Sequence, residues 1–467
     1  MSRFKDDFIW GAATSAYQIE GATNVDGRTD SIWDTFCRGK GNIRDYSSGE
    51  VACNHYENWQ HDIGLMEQLG LQAYRFSISW SRIMPNGCGE VNQAGIDFYD
   101  RLIDGLLEKK IKPYITLFHW DLPQSLEDRG GWQNADIARW FGEYAGVLSE
   151  RFSDRVENWF TLNEPQCFIG LGYHVGSKAP GLQLDVKESL QALHHSLLAH
   201  GHSVRALRSN AKNPIKVGPV QTGTVAYPFE NNPAYKEAAY RATFNVHGSN
   251  EDNHGYYQWK VPVNPLWNFA WYADPIFLGH YPEQGLEVLG NKAPKFTDQE
   301  MEIISEPVDY CGLNLYSGFP VVADAECGWY AKERPLGNPL TAFKWSMTPE
   351  IMYWAPKFFY ERYKKPIYIT ENGMSAHDWL SDSDKVSDPQ RIEFLKSYLK
   401  YYRRASDENL PIKGYFLWSL MDNFEWEQGY EERFGIIYVD FESQKRCFKD
   451  SAYWYQSCIK TKGKNLF

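Results

Sequence analysis

Short apolar runs recur along this chain, each closed by a polar or aromatic residue and followed by a stretch with helical spacing. The runs occupy 8–15, 73–78, 113–118, 156–162, 215–220, 310–315, 367–370 and 414–420. They are near-continuous rather than alternating, the pattern of strands buried on both faces of a parallel sheet. Between them, 54–69 sets Trp59, Ile63, Met66 and Leu69 at i, i+4, i+7 and i+10, with Gly70 as a helix stop. Comparable spacing covers 95–110, 134–152, 186–208 and 389–405, the last opened by Asp388-Pro389 as N-cap and first-turn pair. Eight strands alternating with helices predict an α/β fold, a (β/α)8 TIM barrel with elaborated loops at its C-terminal mouth. A doubly wound open sheet satisfies the same periodicity. No Pro/Gly/Ser linker or composition shift divides the chain, so a single domain is expected over 1–467.

Composition removes several classes. With 48 Lys plus Arg against 60 Asp plus Glu, the formal charge is −12, which gives nucleic acid no general attraction. Apolar runs are too short to span a membrane, and the first residues lack the apolar core of a signal peptide. Eight scattered cysteines without a C-x-x-C pair read as reduced core thiols of a cytoplasmic protein, and no clustered set would hold structural zinc. His194, His195, His200 and His202 share one helical stretch but lack zinc-site spacing. Gly170-Leu171-Gly172 lacks the third glycine of a dinucleotide loop, so neither metal nor cofactor is expected. Aromatic residues make up 16%, including 18 Trp and 30 Tyr, and such rings suit the C–H faces of sugars when they are not simply core.

The residues closing the runs carry the chemistry. They are Gln18 and Glu20, Arg75, His119, Asn163 and Glu164, Asn314 and Tyr316, Glu371, and Trp418. In a barrel, catalytic groups collect where the strands end. Each residue alone could cap the loop that follows; all of them together are better explained by convergence on a ligand. Glu164 and Glu371 end the fourth and seventh runs and can face each other across the mouth. Glycoside hydrolysis needs such a carboxyl pair, a narrow gap giving retention and a wide one inversion. At about 5 Å and an effective dielectric constant near 20, two carboxylates repel by roughly 3 kcal/mol, over two pKa units. One must then hold a proton, and the one that Arg75 contacts stays ionised.

Taken together, FIWGAATSAYQIEGA at 8–22, RFSISWSRI at 75–83, TLFHWDLP at 116–123, TLNEP at 161–165, GLNLY at 312–316, ITENG at 369–373 and WSLMDNFEWEQGYEERFGIIYVD at 418–440 form one ordered set. By these motifs, over essentially its whole length, the chain resembles glycoside hydrolase family 1, the retaining β-glucosidase family. The resemblance implies Glu164 as general acid/base and Glu371 as nucleophile, with Arg75 and Tyr316 orienting the latter. It implies Asn163 on the sugar 2-hydroxyl, Gln18, His119 and Trp120 on the 3-hydroxyl side, and Glu425 on the 4- and 6-hydroxyls. Trp418 would form the platform under the ring with Trp426 beside it, Asn314 would complete the substrate site, and Trp345 would line the aglycone side. The partner implied is a small carbohydrate, with no nucleic acid or membrane; no motif addresses oligomeric state.

A glutamate at 164, where plant thioglucosidases carry Gln, points to O-glycosides. Relatives that cleave 6-phosphoglycosides carry Ser in place of Glu425, with Lys and Tyr where this chain has Glu432 and Phe434, so a phosphorylated substrate is disfavoured. Glucose and galactose are not separated, because Gln18 and Glu425 can serve either 4-hydroxyl. A transglycosylase would use the same intermediate, and a silent sugar-binding barrel would usually have lost a carboxylate. Gln166, Cys167, Lys178 and Gln221-Thr222 depart from common family residues near the mouth, so aglycone preference is not inherited.

Overall fold

The computed structural model describes residues 3–246, 264–326 and 328–466. Eight parallel strands close into a barrel: β1 (Ile9–Ala13), β2 (Ala73–Ser77), β3 (Lys112–Phe118), β4 (Asn158–Asn163), β5 (Lys216–Thr222), β6 (Cys311–Asn314), β7 (Ile367–Asn372) and β8 (Ile412–Trp418). Each neighbours the next, and β8 returns to β1 with Ile9 opposite Gly414 and Ala13 opposite Trp418. Closure excludes the open doubly wound sheet. All eight strands fall on the apolar runs, which are buried on both faces because side chains fill the barrel and helices cover it.

Tyr114, Phe160, Tyr310, Tyr368 and Phe416 form a separate buried cluster with Ala73 and Val220 inside the barrel. This packed interior leaves the strand ends above it as the place where polar groups meet. Outside, α1 (His55–Leu69) buries Ile63, Met66 and Leu69, each worth roughly 1.5–3 kcal/mol when removed from water. Gly70 ends it at φ +71°, a left-handed turn that glycine adopts without steric cost. Helices α2 (Gln93–Glu108), α3 (Ile137–Phe152), α4 (Val186–Ser209), α5 (Asp298–Ile304), α6 (Ile351–Tyr363), α7 (Pro389–Asp407) and α8 (Asp450–Thr461) continue the outer layer. Asp388 does precede α7 with Pro389 in its first turn, but its carboxylate does not cap that helix. It bonds Arg391 and accepts from the Ser451 backbone N–H at 2.8 Å, tying α7 to α8.

The barrel register is irregular where two candidate catalytic residues emerge. It shifts between Phe160 and Asn163 on β4, and between Ile369 and Glu371 on β7. Such bulges re-aim side chains at a strand end. After β8 the chain returns through Gly435, whose N–H donates to Asp422 Oδ1 at 3.0 Å, and this brings Phe434 to the mouth.

Among the described residues, Cys53, Cys167, Cys311 and Cys458 are buried free thiols; Cys37, Cys88 and Cys447 are only half-buried, so the expectation of core positions fails for these three. Cys327 lies outside the described residues. Cys37 ends a short helix (Ile32–Cys37), Cys88 lies in a bend and Cys447 in a two-stranded sheet, all outside the barrel strands. No helix among the described residues is long and apolar enough to cross a membrane.

Candidate active site

Arg75, at the third position of β2, is fully buried and every nitrogen of its guanidinium is engaged. Nη1 donates to Glu371 Oε1 at 2.7 Å and to the Thr370 carbonyl at 3.2 Å. Nη2 donates to Asn163 Oδ1 at 2.6 Å, and Nε to Thr116 Oγ1 at 3.1 Å. Four strands are thereby referenced to one planar cation, whose face lies 5.4 Å from the Phe160 ring centre. Glu371 Oε2 accepts the Tyr316 hydroxyl at 2.7 Å, so both of its oxygens are held.

Glu164 is held differently. Its backbone is left-handed, φ +51°, an uncommon state for a side chain of this size. Oε1 accepts from Asn314 Nδ2 at 2.8 Å and Oε2 from the Cys167 thiol at 3.4 Å. Burial and then the charge of Glu371 push the Glu164 carboxyl up to about 8. Burial raises Glu371 too, but the Arg75 charge and hydrogen bonds from Arg75, Tyr316 and Asn314 oppose it. The charge therefore belongs on the carboxylate that touches the guanidinium, and the proton on Glu164. Both line one pocket.

The rest of that pocket is aromatic and polar. Asn163 takes two donors on Oδ1, from Arg75 and from Asn314 Nδ2 at 3.0 Å, which turns its Nδ2 toward His119 Nε2 at 3.2 Å. Burial and the nearby Arg75 charge depress His119 well below its ordinary value, so it is neutral. Its ring lies parallel to Trp418 at 5.7 Å and to Trp426 at 6.0 Å. Trp120 packs 4.6 Å from Trp426 and donates Nε1 to the Asn163 carbonyl at 2.9 Å; both tryptophans, like Glu164, have positive φ. Gln18 Nε2 reaches the Phe424 carbonyl at 2.8 Å and Glu425 Oε2 at 3.3 Å. Burial lifts the Glu425 carboxyl well above its usual range, with Glu427, Glu371 and Glu432 adding to the rise and Lys178 opposing it. Lys178 itself pairs with Glu427 and lies 5.3 Å from the Trp120 ring centre.

On the outer side, Trp345 packs 4.6 Å from Phe343 and 5.0 Å from Tyr316, with Phe434 at 5.9 Å. The turn carrying it is closed by Thr341 N–H to the Trp345 carbonyl at 2.9 Å. Phe343 N–H also donates to Ser375 Oγ at 2.9 Å, just beyond the Glu371 strand.

Of the residues expected at the site, His119, Trp120, Glu164, Tyr316, Trp345, Glu371, Trp418, Glu425 and Trp426 line the pocket. Gln18, Arg75, Asn163 and Asn314 hydrogen-bond the polar atoms of Glu425, Glu371, His119 and Glu164 respectively. Glu20 does not join: it accepts from Arg82 at 3.0 Å and Tyr99 at 2.6 Å, a structural ion pair behind the strand end. Phe343 and Trp267 also line the pocket and belong to no motif. Phe343 lies two residues before Trp345, which is the one sequence signal for it; Trp267 had none. Of the residues that depart from the family pattern, Cys167, Lys178 and Thr222 line the pocket, whereas Gln166 donates Nε2 to Gln221 Oε1 at 2.8 Å. His194, His195 and His200 bond the Tyr281 hydroxyl, the Trp132 carbonyl and Thr161 Oγ1 at 3.0, 2.9 and 2.7 Å.

The sequence profile of glycosyl hydrolase family 1 matches residues 1–255 and 263–464. The 1,4-beta-D-glucan glucohydrolase of Thermotoga neapolitana is 43% identical over 464 residues, 99% of each chain. Beta-glucosidase A of Thermotoga maritima is likewise 43% identical over 99% of each chain. The solved structure of the beta-glucosidase from Thermotoga maritima in complex with deoxynojirimycin superposes with a TM-score of 0.87 at 42% identity, over 99% of this chain and 100% of that one.

Proposed function

The chain belongs to glycosyl hydrolase family 1, and from that premise we propose that it releases terminal non-reducing β-D-glucosyl residues from oligosaccharides or aryl glycosides with retention. Glu371 is the nucleophile and Glu164 the acid/base. The observation that carries these roles is the asymmetry of the pair: a guanidinium on Glu371, and only an amide and a thiol on Glu164.

In the first step the Glu371 carboxylate attacks the anomeric carbon, the bond to the aglycone oxygen breaks, and that oxygen takes the Glu164 proton. The ester that forms is neutral, so one of the causes raising Glu164 disappears and it becomes the base. It then removes a proton from water as the water attacks the same carbon, and Glu371 leaves as a carboxylate. Two inversions give retention. Asn163 serves the 2-hydroxyl, Gln18, His119 and Trp120 the 3-hydroxyl side, and Glu425 the 4- and 6-hydroxyls over the Trp418 platform with Trp426 beside it. Asn314 aims Glu164, and Trp345 lines the aglycone side. The barrel works as one catalytic domain over 1–467. Free cysteines support a cytoplasmic setting.

The test is Glu371→Ala with an activated aryl glucoside. Hydrolysis is lost, and added azide restores turnover by forming the α-glucosyl azide. Near-native hydrolysis by the variant would remove Glu371 from the nucleophile role. Specificity constants for matched β-glucoside, β-galactoside, β-fucoside and cellobiose rank the glycone.

A further inference from the structure

We propose that Cys167 is a positioning residue for the acid/base: its thiol holds the Glu164 oxygen that Asn314 leaves free, and so governs how readily that carboxyl gives up its proton. The inference rests on the acid/base reading of Glu164. Cys167 is 6% exposed, lines the pocket, and is fixed against Glu164 twice. Its backbone N–H donates to the Glu164 carbonyl at 2.8 Å and its Sγ to Oε2 at 3.4 Å.

The two contacts on the Glu164 carboxyl differ in kind. Asn314 Nδ2 is a stiff amide donor whose Oδ1 is itself pinned by Thr370 Oγ1 at 2.6 Å, so it cannot turn away from Oε1. A thiol is a weak donor on a single rotatable bond, and it can also accept weakly. Oε2 is therefore the oxygen that protonates and deprotonates at least cost, and the thiol can follow the change by rotating. Burial, followed by the Glu164 charge, keeps the sulfur well above the usual thiol range, so Cys167 stays protonated and does not compete as a nucleophile. The other groups that bear on Glu164 are Glu371 from β7, Arg75 from β2, Tyr316 beyond β6, the neutral His119 beyond β3, and Lys178 through Cys167. Glu371, Arg75, Tyr316 and His119 all remain in place when Cys167 is substituted, and only the route from Lys178 passes through the thiol.

The alkaline limb of kcat/KM on an aryl glucoside with a poor leaving group reads Glu164 in the free enzyme. In Cys167→Val and Cys167→Ala no donor remains, the anionic form loses support, and the limb moves up by about half a pH unit or more. Cys167→Ser keeps a donor and leaves the limb at or below its parent position. Glu164→Gln serves as the reference and abolishes the limb. A purely packing role would lower kcat without this order, and alanine and valine, smaller and larger than cysteine, bracket its volume and so control for the cavity. A limb lost in Glu164→Gln but unmoved in Val and Ala overturns the role of Cys167 while leaving the acid/base reading intact. A limb that survives Glu164→Gln overturns both.

Discussion

Gly373 and Trp418 meet backbone to backbone: a Cβ on Gly373 would lie 1.7 Å from the Trp418 carbonyl oxygen. The glycine of the E-N-G motif is therefore needed for close approach between the β7 and β8 ends, from which Glu371 and Trp418 line the same pocket. Gly373→Ala should destabilise the fold by about 2 kcal/mol or more and reduce kcat/KM. A melting temperature and activity equal to the parent would show that the two strand ends can separate freely.

Arg75→Gln removes the cation on Glu371 and leaves a buried carboxylate without its partner, at a cost of about 3–5 kcal/mol. Losing the guanidinium raises the Glu371 pKa, so the acidic limb of the pH–rate profile, where activity appears as this group ionises, moves to higher pH. We expect kcat/KM at neutral pH to fall at least about a hundredfold. An acidic limb in its original place would mean that Arg75 does not set the nucleophile's charge.

With Glu164 titrating near 8, kcat/KM for poor leaving groups should fall as pH rises through about 8, because only the protonated form can act as acid. Glu164→Ala should cost about 10²–10⁴ in kcat/KM with poor leaving groups and far less with activated ones, which need little protonation. Equal losses across a leaving-group series would count against the acid role.

Phosphate at the sugar 6-position would approach Glu425, whose surroundings already include Glu427 and Glu432. Cleavage of 6-phosphoglucosides should be at least about tenfold less efficient than that of plain glucosides. The reverse ranking, from specificity constants on matched substrates, would undo this account of the pocket floor.

Why the sequence revealed so much of the site is visible in Arg75 and Glu371. Glu371 follows directly on a continuous apolar run and Arg75 is the one charged residue inside another, and the barrel converts such positions into neighbours. Glu20 looked equivalent by the same criterion, yet it turns away to Arg82 because a neighbouring arginine and Tyr99 compete for it. Trp267 and Phe343 were invisible for a different reason. They come from long connections whose course depends on tertiary packing, and an aromatic residue in such a stretch has no period to betray it. The Asp388 carboxylate shows the same limit on a smaller scale. Its placement before a proline marks the helix start correctly, while its actual partners lie on α7 and α8.

The wall formed by Phe343 and Trp345 is carried on a turn, whereas Arg75, Asn163, Glu371 and Trp418 all lie on barrel strands. On the roles proposed above, chemistry and leaving-group choice thus draw on different parts of the chain, joined where Trp345 packs on Tyr316. On that reading, libraries confined to the turn would diversify the accepted aglycone, and natural drift could do the same, while the strand-borne groups are inherited unchanged.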